Sequence, residues 1–432
     1  MMNQKQLSAP RNFKFGEELK CCQPCAAVLL ANCLSLYCSG CLNRLKVSKR
    51  CSGCRVAHYC GTQCQKDDWT LHKNECQYLP KTASFPKIRL ISRCITTLIT
   101  TKFVKSEFVN LCCHLSDMTE NDKLDYMSVV EILTLVHGEN SLKLVFKTSK
   151  CLLEMINQVG VNAITVVTET NDPIGHALYP EAASINHSCE PNAFFAFRGK
   201  LLQIRTLKPI EIGEEVFVSY TDQLFFKHER QDSLKKQYFF TCQCTECTSE
   251  VREQKFREVK CQNSKNCAAI IDSNLIKCPD CGSNVETLDF PDATSCKDIK
   301  KLLSKLACLE NVYPDTNLKM HNLLLKCEEY LYEKSFKEVL PIELRLLKNL
   351  ECFFPGHHPI KSLQCFRVAK VFSCLEQLDK SVEYFEKALK LIAITHGTDS
   401  DFYSSVLEEY HVDKRDLLFL KENSKKYLQK KK

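Results

Sequence analysis

No stretch of this sequence is apolar and long enough to span a bilayer, which takes about 20 consecutive residues. The most hydrophobic run, residues 25–34, is interrupted by Asn32. The polar segment 1–18 holds no apolar core of the kind a secretory leader requires, so export is not expected. A strong charge of one sign is missing too: 59 Lys and Arg against 52 Asp and Glu leave +7, spread along the chain. Basic and aromatic residues do not interleave, and nucleic acid is therefore not expected as the primary partner. Lys425, Lys426 and the run from Lys430 to Lys432 read as a solvated helix end rather than a binding tail.

Cysteine, by contrast, is abundant, at 29 of 432 residues. An exported chain would use these as a disulfide framework. Without a leader, a reducing compartment is expected, cytoplasm or nucleus, where thiols bind metal, react or pack. The length is enough for several domains. Cysteine and histidine crowd residues 38–76, and helical periodicity follows over 79–160, with Ile88, Leu90, Ile91, Ile95 and Leu98 as an example. Short runs at 193–197, 201–204 and 215–220, punctuated by Gly199, Pro209 and Gly213, predict strands. A second cysteine-rich block covers 242–281. Beyond it Val382, Phe385, Leu389 and Ile392 mark one helix face before Gly397. Similar segments at 315–334, 336–352 and 359–376 complete an expected antiparallel helical array, a platform rather than a seat of chemistry.

The first cysteine cluster is spaced Cys38-x2-Cys41, Cys51-x2-Cys54, Cys60-x3-Cys64 and His72-x3-Cys76. Soft thiolates with one imidazole at these intervals suit tetrahedral zinc, and eight ligands imply two ions. So short a segment lacks the apolar area to fold alone. Metal binding, about 10–16 kcal/mol per structural site, would supply the folding free energy. Farther on, Cys242-x-Cys244-x2-Cys247 offers three thiolates and needs a fourth ligand, for which Cys189 is the candidate. A redox role for that segment lacks its strand–helix setting. Cys261-x5-Cys267 with Cys278-x2-Cys281 predicts a further zinc site. Cys94, Cys308, Cys327 and Cys374 lie outside these clusters and read as small core side chains.

Between the clusters runs the series Asn186-His187-Ser188-Cys189-Glu190-Pro191-Asn192, preceded by Leu178-Tyr179-Pro180. Glu211-Ile212-Gly213-Glu214-Glu215-Val216, Ser219-Tyr220 and Tyr238-Phe239-Phe240-Thr241-Cys242 follow it. An Asn-His pair by itself is an ordinary turn; the ordered whole closely resembles the SET methyltransferase core. The 38–76 cluster looks like a MYND zinc finger. Finger, SET segment, cysteine trio and helical tail occur in the order of the SET and MYND domain protein-lysine N-methyltransferase family, and the likeness covers nearly the whole chain.

This resemblance implies an α+β multidomain fold: a split, β-rich SET fold with an inserted MYND finger, a post-SET zinc site and an all-α, helical-repeat-like C-terminal domain. The implied boundaries are 1–37 for the first part of SET, 38–76 for the finger and 77–160 for a helical insert. The SET core is then 161–222, post-SET 223–250 and the helical domain 293–432; between the last two, ligand spacing rather than the resemblance marks a zinc ribbon at 251–292. In the finger, Cys38, Cys41, Cys60 and Cys64 would hold one ion and Cys51, Cys54, His72 and Cys76 the other. S-adenosylmethionine is the implied cofactor, and a lysine of a histone or another protein the implied substrate. Tyr220 and Tyr238 would form the lysine channel, with Phe240 shaping the cofactor side. Asn186 and His187 would contact the cofactor through main chain and amide, and Asn162 and His114 would lie nearby.

Gln65 and Trp69 share one helix face, where related fingers bind proline-rich peptides; packing beneath the metal is the expectation preferred for Trp69. One departure bears on activity. SET domains open with a Gly-x-Gly turn whose bare backbone approaches the cofactor, and residues 1–14, upstream of Phe15-Gly16-Glu17-Glu18-Leu19, contain no glycine. The alternative expectation is accordingly a SET-like scaffold without catalysis that recruits proline-rich partners.

Overall fold

The computed structural model describes residues 6–100, 111–263, 267, 269–275, 277–291, 298–332 and 334–430. The chain forms two compact units: Met1–Tyr220 with Asp232–Cys242, and Thr221–Gln231 with Gln243–Lys432.

The first unit is built on small antiparallel sheets. Strands β1 (Glu18–Cys22) and β2 (Ala26–Leu29) come first, then β3 (Lys49–Arg50) and β4 (His58–Tyr59) in the finger. They are followed by β5 (Ala163–Val167), β6 (Pro173–Leu178), β7 (Asn186–His187), β8 (Ala193–Arg198), β9 (Leu201–Thr206) and β10 (Phe217–Val218). One sheet has the order β1-β9-β8 and another β2-β6-β5, while β7 pairs with β10 in parallel. The two larger sheets share a core of Leu29, Val166, Ile174, Tyr179, Phe197, Leu202 and Ile204. Gly175 permits the close pairing of β2 and β6, since a Cβ there would stand 2.2 Å from the Val28 carbonyl oxygen.

A second core forms where the helix Pro86–Thr100 lays Leu90, Ile91, Cys94 and Ile95 against Ala26, Val28 and Leu178. The helix Ser149–Asn162 adds Leu152, Met155, Ile156 and Val159 to it. A fully buried aliphatic side chain of this kind stabilises by about 1.5–3 kcal/mol, and truncating Ile95 to alanine should cost about 2–5 kcal/mol. The neighbouring helix Glu120–His137 starts at a reciprocal Thr119–Asp122 capping box and stops at Gly138, whose φ is +77°.

The second unit contains β11 (Glu258–Lys260) and β12 (Ile270–Asp272), an antiparallel pair, followed by successive helices. These are Ile299–Leu309, Leu318–Leu331, Phe336–Phe353, Pro359–Cys374, Leu378–Thr395 and Asp401–Lys430. Asp298, Asn317, Ser335 and His358 cap the first four, each accepting a main-chain N–H from the first turn. Each helix buries one stripe, such as Phe385, Ala388, Leu389 and Ile392 against Val368 and Phe372. The lysine cluster stands at the end of the last helix, with Lys431 and Lys432 outside the described residues. Two cysteines read as core side chains, Cys94 and Cys327, are wholly buried. Cys308 and Cys374 are instead exposed, because each falls on the outer face of its helix, so the sequence reading is corrected there. No helix among the described residues is long and apolar enough to cross a membrane.

Candidate active site and metal centres

Parallel pairing of β7 with β10 runs the 186–192 segment alongside 217–220. Asn192 bolts the two together: its side-chain oxygen accepts the Phe217 N–H at 2.7 Å, and its amide donates to the Glu215 carbonyl at 2.8 Å. The Asn186 amide donates to the Glu215 carboxylate at 2.7 Å. His187 is buried, and its Nδ1 accepts the Tyr220 main-chain N–H at 2.9 Å. The proton must then sit on Nε2, which lies 3.3 Å from Cys189 Sγ and donates to it. Both ring nitrogens are thus engaged within the protein.

The helix Lys227–Tyr238 ends beside this strand pair. Its chain reverses at Phe239, whose φ of +60° is unusual for a bulky residue and turns Tyr238 and Phe240 toward His187 and Tyr220. Tyr220 and Tyr238 ring centroids are 4.7 Å apart, Tyr220 and His187 5.3 Å, and Phe240 and His187 6.0 Å. The Tyr220 hydroxyl donates to the Ile185 carbonyl. Burial pushes both phenols upward, Tyr220 further because Tyr238 and Cys112 lie close, so both stay protonated at neutral pH. Among these rings Tyr220's proton is committed, which leaves its oxygen lone pairs as acceptors.

His114 sits in a loop at the start of a short 3-10 turn and not within a helix. It pairs with Asp117 at 2.8 Å and stacks on Phe239 at 5.1 Å. Asn162 ends the helix Ser149–Asn162, just ahead of β5, and its amide donates to the Cys112 and Gln158 carbonyls at 2.9 and 2.8 Å. Phe239 and Glu215 were not singled out in the sequence. The signal for Glu215 lay in the Gly-Glu-Glu series itself, whereas no local pattern marks Phe239.

All sixteen sequence-predicted metal ligands fall into four sets of four: Cys38, Cys41, Cys60, Cys64; Cys51, Cys54, His72, Cys76; Cys189, Cys242, Cys244, Cys247; and Cys261, Cys267, Cys278, Cys281. Within each set every ligand atom lies within 4.8 Å of the others. Tetrahedral zinc with sulphur at about 2.3 Å requires sulphurs roughly 3.8 Å apart, so these donor sets fit the ion in chemistry and in spacing. The Gly199 turn between β8 and β9 rests on the first set, Lys200 N–H donating to the Cys41 carbonyl at 2.9 Å.

A buried ionic network joins the finger to the sheets. His72 Nδ1 faces the Glu75 carboxylate at 3.6 Å, beyond hydrogen-bond distance, and Nε2 is the ring nitrogen turned to the thiols of its set, 3.6 Å from Cys54 Sγ. Arg93 lies between Glu75 and Asp68, bonding Glu75 through Nε at 2.9 Å and Asp68 through Nη1 at 2.7 Å. Arg93 also donates to the Ala27 carbonyl at 3.2 Å and Arg89 to that of Leu29 at 3.0 Å, both on β2. Tyr59 donates to Asp68 at 2.8 Å. Desolvation alone would raise the Glu75 carboxyl, but Arg93 and Arg89 hold it far below the ordinary range. The sequence offered a clue here, two arginines four apart on a helix whose Leu90, Ile91 and Ile95 mark a core face. Trp69, expected beneath the metal, is 47% exposed, with only its ring edge against His72 at 5.9 Å; Tyr59 and Leu79 occupy the interior place instead.

A cavity of about 460 Å³ in the second unit, walled by Phe226, Phe256, Phe290 and Tyr313, contains none of the residues singled out in the sequence.

Comparison with known proteins adds two findings. The MYND finger model matches residues 35–76. The N-lysine methyltransferase SMYD2 of Gallus gallus is 26% identical, over 93% of this chain and 94% of its own length. The enzymes of that name from Homo sapiens and Rattus norvegicus are 27% and 28% identical over the same shares.

Proposed function

We propose that the chain is a member of the SET and MYND domain family of protein-lysine methyltransferases and transfers a methyl group from S-adenosylmethionine to the ε-amine of a protein lysine, a reading supported by the finger match and by relatives aligned over 93% of the chain. The observation that carries this reading is the packing of two neutral phenols, Tyr220 and Tyr238, over His187 and Phe240, with the Tyr220 proton given to Ile185. Aromatic faces and phenol oxygens, rather than a metal or a charged base, are a donor set that accommodates a sulfonium and an alkylamine. When bound, S-adenosylmethionine supplies a methyl group already activated for transfer.

The protein's task is alignment and deprotonation. Tyr220 accepts a hydrogen bond from the incoming amine, since its own proton is occupied. The Tyr220 and Tyr238 rings flank the aliphatic stem of the lysine. Burial disfavours the lysine proton, which free in water is held with a pKa of about 10.4, so no dedicated base is required. Asn186 and His187 meet the cofactor through the strand they share, because the His187 ring is already used; its role is to fix Tyr220. Phe240 closes the cofactor side, and Asn162 and His114 stand near it, His114 steadied by Phe239. The two finger sets and the Cys189 set would hold zinc, and so held would fix the segments that carry these residues.

The exposed Trp69, beside the half-buried Gln65 on the same helix, supports a proline-rich peptide as a partner of the finger. Four sets of metal thiols require a reducing compartment, which supports cytoplasm or nucleus. The test is transfer of labelled methyl from S-adenosylmethionine to protein lysines, identified by mass spectrometry. The chain should label lysine and Tyr220→Phe should not; equal labelling by both would remove Tyr220 from the reaction.

A further inference from the structure

The second unit carries a cysteine quartet outside both the finger and the methyl-transfer residues. β11 and β12 pair over only three residues each, with Val259 opposite Ile271, and so short a hairpin is not stable by itself. Cys261 follows β11 directly and donates its N–H to the Ala269 carbonyl at 2.9 Å. Cys278 and Cys281 come from a tight knuckle, closed by the Gly282 N–H on the Cys278 carbonyl at 2.9 Å. Gly282 has a φ of +72° there, a conformation suited to glycine. Knuckle and hairpin meet sulphur to sulphur: Cys261 lies 3.5 Å from Cys281, and Cys267 lies 3.7 Å from Cys278.

One face of this ribbon is apolar and covered. Val259, Ile271, Cys261 and Cys278 are buried against Leu302, Leu306 and Leu309 of the helix Ile299–Leu309 and against Met320 and Leu323 of the helix Leu318–Leu331. Main-chain bonds fix the seam. Lys260 N–H donates to the Val312 carbonyl at 2.7 Å, and the Asn317 amide donates to the Glu258 carbonyl at 3.0 Å. Stacked helices leave an apolar end at each terminus that another element must cover. Here the covering element has too few residues to hold its own shape.

We propose that Cys261, Cys267, Cys278 and Cys281 bind a zinc ion of their own, and that this ion lets the ribbon cap the first two helices of the array. Four thiolates and no open ligand position make it a folding element and not a catalytic centre. The inference does not rest on the methyltransferase reading, and its test involves no activity.

Metal analysis of the full chain, purified without chelator, should find four zinc ions per chain. Cys278→Ser combined with Cys281→Ser should remove one, and hydrogen exchange should accelerate over 299–331 while 193–206 stays protected. Cys308→Ser, an exposed cysteine outside the quartet, should change neither. If the double variant fails to fold, differential alkylation of the unmodified chain decides. The four thiols should resist a maleimide until a strong chelator is added. Three zinc ions with these four thiols freely alkylated, or iron in their place, would overturn the assignment. Loss of one zinc with unchanged exchange over 299–331 would overturn the capping role.

Discussion

Replacing Arg93 by methionine tests the wiring between finger and sheets. The guanidinium is 3% exposed and serves two carboxylates, Asp68 and Glu75, that are themselves 5% and 4% exposed. Methionine keeps most of the stem but removes the charge, leaving Asp68 and Glu75 buried with Arg89 as the remaining guanidinium, 3.4 Å from Glu75. Stripping one member from a buried ion pair costs about 3–5 kcal/mol, most of it the desolvation of what is left behind. For a unit of this size each kcal/mol moves the melting point by about 2–4 °C, so a fall of roughly 10 °C is expected. Because the structure divides into two compact units, calorimetry should follow the transition that carries the first. Glu75 also steadies His72, so zinc should leave the second finger set roughly 10–100 times more readily in a competition with a chromogenic chelator. Lys143→Met, which breaks an ion pair whose members are 70% and 69% exposed, is the control. If Arg93→Met lowers the transition no more than that control does, the network is not what joins the finger to β2.

Other expectations follow from the same geometry. His187→Ala should lower methyl transfer sharply while S-adenosylmethionine affinity changes little, since the ring steadies Tyr220; equal losses in both would make the ring a cofactor contact. Glu343 in the second unit has its carboxyl pushed up to about 7 by burial, with the Gln364 amide pulling it partly back and the nearby Arg367 shared with Glu328. A raised folded value means that stability is greatest below about 4.5 and is lost as pH rises to about 7, a fall of roughly 3 kcal/mol that Glu343→Gln should abolish in denaturant titrations at pH 5 and 8. Prolonged chelation should unfold the finger and release its thiols to a maleimide while the helices of 336–395 keep their circular dichroism, whose complete loss would contradict a local role for the metal.

The parts of this molecule written in spacing were legible before any coordinates. Ligand intervals such as Cys51-x2-Cys54 carry their geometry with them, because a knuckle fixes two sulphurs locally. The helix faces of 336–395 were equally plain, since each is a run of apolar residues at a period of 3.6. The tyrosines were legible only through a family likeness, as nothing local distinguishes Tyr220 from a core ring. What stayed hidden depended on pairing across distance. Arg93 meets residues 18 and 25 positions away, and its role emerges only once two helices pack. Phe239 is hidden for another reason: its place beside His114 follows from a left-handed backbone turn that a bulky residue rarely adopts. Trp69, Cys308 and Cys374 were misjudged because hydrophobic character alone does not say which face of a helix is covered.

The central claim is that this chain handles S-adenosylmethionine at the Tyr220–Tyr238 cluster, and calorimetric titration of that cofactor into zinc-replete protein tests it most directly. Saturable binding of one cofactor per chain is expected. No heat of binding, with folding and zinc content verified in the same sample, would contradict it.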